Sequence, residues 1–68
     1  MRNNIKALRL AAGLTQSRLA AALGISVSAL SYYEVGKRRL SPELLCEFAR
    51  FFSVSIDSLF QYDGKVAR

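Results

Sequence analysis

Polar and apolar residues follow one local pattern four times along the chain: an apolar residue, then Ser or Thr, then three residues, then Leu. The four instances are Leu14-Thr15…Leu19, Ile25-Ser26…Leu30, Leu40-Ser41…Leu45 and Val54-Ser55…Leu59. Ser and Thr cap helix N-termini by accepting a hydrogen bond from a free backbone N–H of the first turn. The apolar residue before the cap can pack on the fourth helical residue. The pattern therefore predicts four helix starts.

Glycine and proline support the same division of the chain. Gly13, Gly24 and Gly36 fall where helices are expected to end, because glycine takes the left-handed conformation at little cost. Pro42 follows the cap Ser41, where its missing N–H is not needed. The predicted helices lie near residues 3–12, 16–23, 27–35, 42–52 and 56–61. The fold class is all-α, a compact five-helix bundle in one domain at 1–62, with a short tail at 63–68.

The apolar positions of each predicted helix define a single core. The expected core residues are Ile5, Leu8, Ala12, Leu19, Ala20, Leu23, Leu30, Tyr33, Leu44, Leu45, Phe48, Ala49, Phe52, Ile56, Leu59 and Phe60. Cys46 is expected near the core edge as a small buried hydrophobe.

Composition narrows the possible functions. The chain has one cysteine and no histidine, which rules out an intrachain disulfide and argues against a structural zinc site or any other metal site. The usual base for nucleophilic catalysis is also missing, so no enzymatic activity and no cofactor are expected. The uncharged run from Leu19 to Tyr33 is too short to span a bilayer, and no signal peptide is visible, so a cytoplasmic protein is expected.

The net charge of +5 is unevenly distributed. Residues 1–42 carry seven basic side chains against one acidic one, whereas residues 43–68 carry three against four. The basic part could meet a polyanion and the near-neutral part a protein. A solvated surface that keeps a small protein soluble would account for the charge equally well.

Helices 2 and 3 are predicted to meet across a very short link at Gly24 and Ile25. Ala20 is small enough to let the second helix approach the first, and Gly24 permits the sharp turn. This combination predicts a helix-turn-helix, whose second helix projects outward and can enter a DNA major groove. From Ser26 to Tyr33, however, that helix holds no Arg, Lys, Asn or Gln, the residues that most often read base edges.

The segment GLTQSRLAAALGISVSALSYYEVGKRRLSPELLCEFARFFSVSIDSLF resembles the phage-repressor and Cro-like helix-turn-helix family, also called the xenobiotic-response-element type. The resemblance covers about residues 3–60 and rests on GLTQ, on Leu-Ala in SRLAAALGIS, on YE.GKR, on SPELL and on VSIDSLF. It implies a lambda-repressor-like five-helix bundle that binds double-stranded operator DNA, commonly as a homodimer on a near-palindromic site.

The resemblance also implies roles for particular residues. Those expected at DNA are Thr15, Gln16, Ser26, Val27, Ser28, Ser31, Tyr32, Lys37, Arg38 and Arg39. Among them, Gln16 would hold a phosphate with Thr15 as its cap, and the three basic residues would lie along the phosphates. Arg9 and Glu34 match a partly buried ion pair that joins helices 1 and 3.

Plainer alternatives stay open for several of these residues. Gln16 could be an ordinary solvated residue, and the basic run could be only a solvated loop. Tyr33 is expected in the core and Tyr32 at the contact surface. Two positions depart from the family pattern. Ser53 stands where glycine is common, which predicts either a different end to helix 4 or mild strain. Arg18 opposes the dipole of helix 2 unless a phosphate or glutamate accompanies it.

The function expected from these residues is a sequence-specific transcriptional regulator, either a repressor or a restriction–modification-type controller. An antitoxin-like interaction module that also regulates its own operon is the alternative. Phe51, Phe60 and Tyr62 are candidates for a dimer interface, because Phe51 and the core residue Phe52 are adjacent and cannot both point inward. Phe51 could instead cap the edge of the core.

Overall fold

The computed structural model describes residues 3–60, which form four α-helices and a terminal helical turn. The elements are α1 (Ile5–Ala11), α2 (Gln16–Leu23), α3 (Val27–Glu34), α4 (Pro42–Phe52) and a 3-10 turn at Ile56–Leu59. The all-α class and the first four helices are thus as predicted. The fifth predicted helix is wrong as an α-helix, since within the described residues it is one 3-10 turn of four residues.

All four predicted caps form. The hydroxyl oxygens of Thr15, Ser26, Ser41 and Ser55 each accept a hydrogen bond from the backbone N–H three residues later. The start of α1 is different, because Asn4 makes no side-chain cap and its Nδ2 donates to the carbonyls of Ser58 and Phe60 instead. Asn3 also forms an isolated antiparallel bridge with Phe60. The beginning of α1 is therefore held by the last described residues of the chain.

The core lies where the four helices and the final turn converge. Its buried members are Ile5, Leu19, Ala20, Leu30, Phe48, Ala49 and Leu59, all of which were predicted. The larger partly buried residues that pack against them include Leu8, Leu23, Leu44, Leu45, Phe52 and Phe60.

Three residues that were predicted in the core or at its edge are exposed instead. Ala12 is exposed because α1 ends at Ala11 and Ala12 is its C-cap. Cys46 is exposed and has a free thiol. It lies on the outward face of α4, whereas positions 44, 48 and 52 lie on the face that packs against the core. Ile56 is 40% exposed, because it opens the 3-10 turn at the end remote from Leu59, the residue that enters the core.

Ser53 ends α4 in the left-handed conformation, with φ 57°, and is the one non-glycine residue with positive φ in the described part of the chain. The strain predicted at this position is therefore present. We expect Ser53→Gly to raise the free energy of unfolding by about 0.5–1 kcal/mol, because glycine adopts this conformation without the steric cost of a Cβ. Urea denaturation would measure it. Ser53→Ala keeps the Cβ and is the matched control; equal stabilities of the Gly and Ala variants would contradict the prediction.

Candidate nucleic-acid interface

The helices α2 and α3 form a helix-turn-helix. Gly24 ends α2 with φ 70°, and the next backbone N–H, that of Ile25, donates to the Ala20 carbonyl at 3.0 Å. Nothing lies within 4 Å of a Cβ built on Gly24, so the turn needs glycine for its backbone conformation rather than for space. Ala20 is 1% exposed and lets the two helices pack closely. The geometry turns one side of α3 away from the rest of the protein.

The outward side of α3 carries the residues expected to face base edges. Leu30 is fully buried on the inner side. Val27, Ser28 and Tyr32 are exposed, and Ser31 is half-buried beside them. Positions 27, 28, 31 and 32 are neighbours at helical spacings of three and four, so their side chains share one face. Ser26 is also exposed, but its oxygen is already an acceptor in the α3 cap.

The basic run follows α3 directly and is fixed to its last turn. The N–H of Lys37 donates to the Tyr32 carbonyl at 2.9 Å, and the N–H of Gly36 donates to the Tyr33 carbonyl at 3.1 Å. Gly36 has φ 79°. These two hydrogen bonds around a left-handed glycine form a Schellman motif, which ends the helix in a defined geometry. The side chains of Lys37, Arg38 and Arg39 are exposed at this end.

A buried polar cluster ties the two ends of the helix-turn-helix to α1. Arg9 Nε lies 2.6 Å from Glu34 Oε2, and Arg9 Nη2 donates to Glu34 Oε1 at 3.3 Å. The side chains are 9% and 2% exposed, respectively. Arg9 Nη1 also donates to the Leu14 carbonyl at 2.9 Å. The pair expected from the family resemblance is therefore formed, and it is nearly excluded from water.

Gln16 joins this cluster through a contact that its sequence pattern does not predict. Its Nε2 donates to Glu34 Oε1 at 2.9 Å, and its side chain is half-buried rather than freely solvated. A primary amide has a second N–H and a carbonyl oxygen, and for these the described residues supply no partner. Thr15 accepts from the N–H of Arg18 and so fixes the first turn of α2. Glu34 thus orients two side chains, that of Arg9 on α1 and that of Gln16 at the start of α2.

Exposed cations lie in the first turn of α2 and directly after α3. Among residues 3–60, Arg9–Glu34 is the single ion pair, so Arg18, Lys37, Arg38 and Arg39 have no carboxylate partner there. Arg18 therefore has no glutamate partner within that range to offset its unfavourable interaction with the helix dipole, and its charge stays at the N-terminal turn of α2. The three adjacent uncompensated cations after α3 create a local positive potential.

The apolar residues at the far end of α4 are also partly exposed. Phe51 is 42% exposed and meets Phe52 edge-to-face, with ring centroids 5.1 Å apart. The exposed Ile56 begins the turn that follows α4, and Phe60 is half-buried. Tyr62, the third residue predicted for an interface, lies outside the described residues. Ile56 was predicted in the core, so its exposure adds a residue to this apolar surface that was not expected there.

Two other classes of site are absent from the described part of the chain. Residues 3–60 contain no group of three or more His, Cys, Asp or Glu side chains that could hold a metal ion. Over the same range, no helix has the length and hydropathy needed to cross a membrane.

Comparison with known proteins agrees with this geometry. The sequence profile of the helix-turn-helix family matches residues 5–59. An uncharacterized HTH-type transcriptional regulator of Methanocaldococcus jannaschii is 38% identical over 63 residues, which cover 93% of this chain and 96% of that protein. An uncharacterized HTH-type transcriptional regulator of Archaeoglobus fulgidus is 35% identical over 65 residues, covering 96% and 93%. The chain belongs to the phage-repressor and Cro-like helix-turn-helix family.

Proposed function

We propose that the protein is a cytoplasmic, sequence-specific transcriptional regulator that binds a near-palindromic operator in double-stranded DNA as a homodimer. One observation carries the proposal: the outward face of α3 is followed directly by three exposed cations, Lys37, Arg38 and Arg39, that have no carboxylate partner within residues 3–60. In a helix-turn-helix, this helix enters the major groove while flanking groups hold the phosphates. The dominant action would be repression, through exclusion of polymerase from a promoter, as in a phage repressor or a restriction–modification controller.

The face of α3 is suited to modest base contacts. Val27 can pack against a thymine methyl, and the hydroxyl of Ser28 can donate to or accept from a base edge. Tyr32, which is 49% exposed, reaches farther than either serine. None of these side chains forms the bidentate contact that arginine makes with guanine. Much of the specificity would therefore come from DNA shape and bridging water.

Phosphate contacts would supply most of the affinity. Gln16 is oriented by its hydrogen bond to Glu34, and its second amide N–H is available to a phosphate oxygen. Lys37 and Arg38 are held beside α3 by the Schellman motif, and Arg39 follows them. Contacts at both ends of the helix-turn-helix would fix the register of α3 in the groove.

The dimer contact would involve the exposed apolar residues at the end of α4. Phe51 and Ile56 are both about two-fifths exposed and close to each other in sequence, and Phe60 lies at the edge of the same core. Aromatic residues are enriched at protein–protein interfaces. A 68-residue chain also has little core of its own, so that association with a second copy would add stability. Tyr62 and the C-terminal part of the 1–62 domain would complete this interface.

Selection from random DNA duplexes tests this proposal. Low-salt selection should enrich one motif in two inverted copies, with centres about 10 bp apart or a multiple of that distance, because two helices in one dimer reach successive turns of the groove. Enrichment of no motif would contradict sequence-specific binding. Enrichment of a single motif without an inverted copy would support sequence-specific binding but contradict binding as a homodimer.

A further inference from the structure

Arg38 lies against an aromatic ring at the end of α3. The carbon at the centre of its guanidinium is 5.9 Å from the centroid of the Tyr33 ring and lies over the ring face. This distance is within the range in which a cation is attracted by an aromatic quadrupole. Tyr33 was predicted as a core residue, but it is half-buried and so presents part of its ring to Arg38.

The backbone on both sides of the contact is anchored. The carbonyl of Tyr33 accepts from Asn3 Nδ2 at 2.8 Å and from the N–H of Gly36 at 3.1 Å. The N–H of Arg38 points to the Tyr32 carbonyl at 3.4 Å, a weaker interaction next to the strong one of Lys37. The ring and the arginine backbone are consequently fixed relative to each other before any ligand binds.

We propose that Tyr33 is a positioning residue, whose ring holds the Arg38 guanidinium ready for a DNA phosphate; this rests on the proposed DNA-binding function. An aromatic face attracts a guanidinium without neutralising it, whereas a carboxylate would compete with the phosphate. A contact with the ring face occupies none of the guanidinium N–H groups, which stay available for a bidentate contact with phosphate. Because rotamer freedom is already restricted, less is lost when the phosphate is bound.

Arg39 provides an internal comparison. It is likewise an exposed cation and is adjacent in sequence, but within residues 3–60 it has neither a ring nor a carboxylate contact. If positioning by the ring matters, the effect of changing Tyr33 should depend on Arg38 and not on Arg39.

A double-mutant cycle tests the proposal. The affinity of the full chain for a fluorescein-labelled mixed-sequence DNA duplex at low salt would be measured by anisotropy for Tyr33→Leu, Arg38→Ala and the double variant. We expect Tyr33→Leu to weaken binding about two- to fivefold when Arg38 is present and to have no further effect beside Arg38→Ala. Tyr33→Phe, which keeps the ring face, should bind as the unchanged protein does. The same cycle with Arg39→Ala should be additive.

Other outcomes separate this inference from the proposed function. An additive cycle with Arg38, or a Tyr33→Phe variant as weak as Tyr33→Leu, would overturn the positioning role while leaving DNA binding intact. Absence of binding by the unchanged protein to any duplex at low salt would overturn the proposed function itself. If Tyr33→Leu does not fold, NMR of the unchanged protein decides: ring-current shifts of the Arg38 side-chain protons support the contact, and resonances coincident with those of Arg39 overturn it.

Discussion

Replacing Glu34 with alanine is expected to lower the free energy of unfolding by about 3–5 kcal/mol, because it leaves the charge of Arg9 buried without a partner. Arg9 is 7% exposed as a residue, and would keep only its bond to the Leu14 carbonyl. A domain of this length has only about 3–10 kcal/mol of stability in total. Urea denaturation followed by circular dichroism should thus find Glu34→Ala partly or largely unfolded without denaturant.

Two further variants would show that the loss comes from the unpaired charge. Replacement of the whole pair, Arg9→Met with Glu34→Leu, removes both charges and should recover most of the stability, since apolar side chains of similar size can replace a buried ion pair. Glu47→Ala removes an exposed carboxylate of α4 and should change stability by less than about 0.5 kcal/mol. A loss below about 1 kcal/mol for Glu34→Ala would mean that the pair behaves as a solvated surface bridge.

Local signals made the helices predictable. Each N-cap depends on a hydroxyl and an N–H three residues away, and the left-handed stops at Gly13, Gly24 and Gly36 depend on single residues. Such interactions are present in the sequence itself and need no knowledge of packing. The strain at Ser53 belongs to the same class, because a residue with a Cβ stands where the chain needs positive φ.

The errors arise where burial depends on how elements meet. The residues after Ser55 fit a single 3-10 turn as well as a short α-helix. The structure has the 3-10 turn, in which Leu59 is buried and Ile56 is exposed. Cys46 is one residue from the core position Leu45, and a helix rotates by about 100° per residue, which is enough to place the thiol in solvent. Apolar character alone does not distinguish these positions.

The site was predictable in its outline and not in its connections. The exposed face of α3 follows from the burial of Leu30 and from helical periodicity. The hydrogen bond from Gln16 to Glu34 joins residues 18 positions apart, and it exists only because the packing of α2 on α3 brings the start of one helix to the end of the other. The contact of Arg38 with Tyr33 likewise depends on the path of the chain after Gly36.

Removing the three basic side chains after α3 is expected to have the largest effect on DNA binding. The variant Lys37→Ala, Arg38→Ala, Arg39→Ala should bind operator DNA about 500-fold more weakly than the unchanged protein at 0.1 M salt, because three phosphate contacts and their counterion release are lost. Each lost phosphate contact removes about 0.9 from the slope of log affinity against log salt, so the slope should become shallower by about 2.7. Anisotropy titrations over a range of salt concentrations would measure both quantities.

The structure supplies a control for this loss. The three side chains are exposed and form no ion pair within residues 3–60, so their removal should leave the urea midpoint nearly unchanged. Arg50 is an exposed cation on the outward face of α4; Arg50→Ala lowers the net charge but should retain the salt slope. If Arg50→Ala flattens the slope as much per charge as the triple variant does, affinity depends on net charge alone. In that event no phosphate contact belongs specifically to the segment after α3.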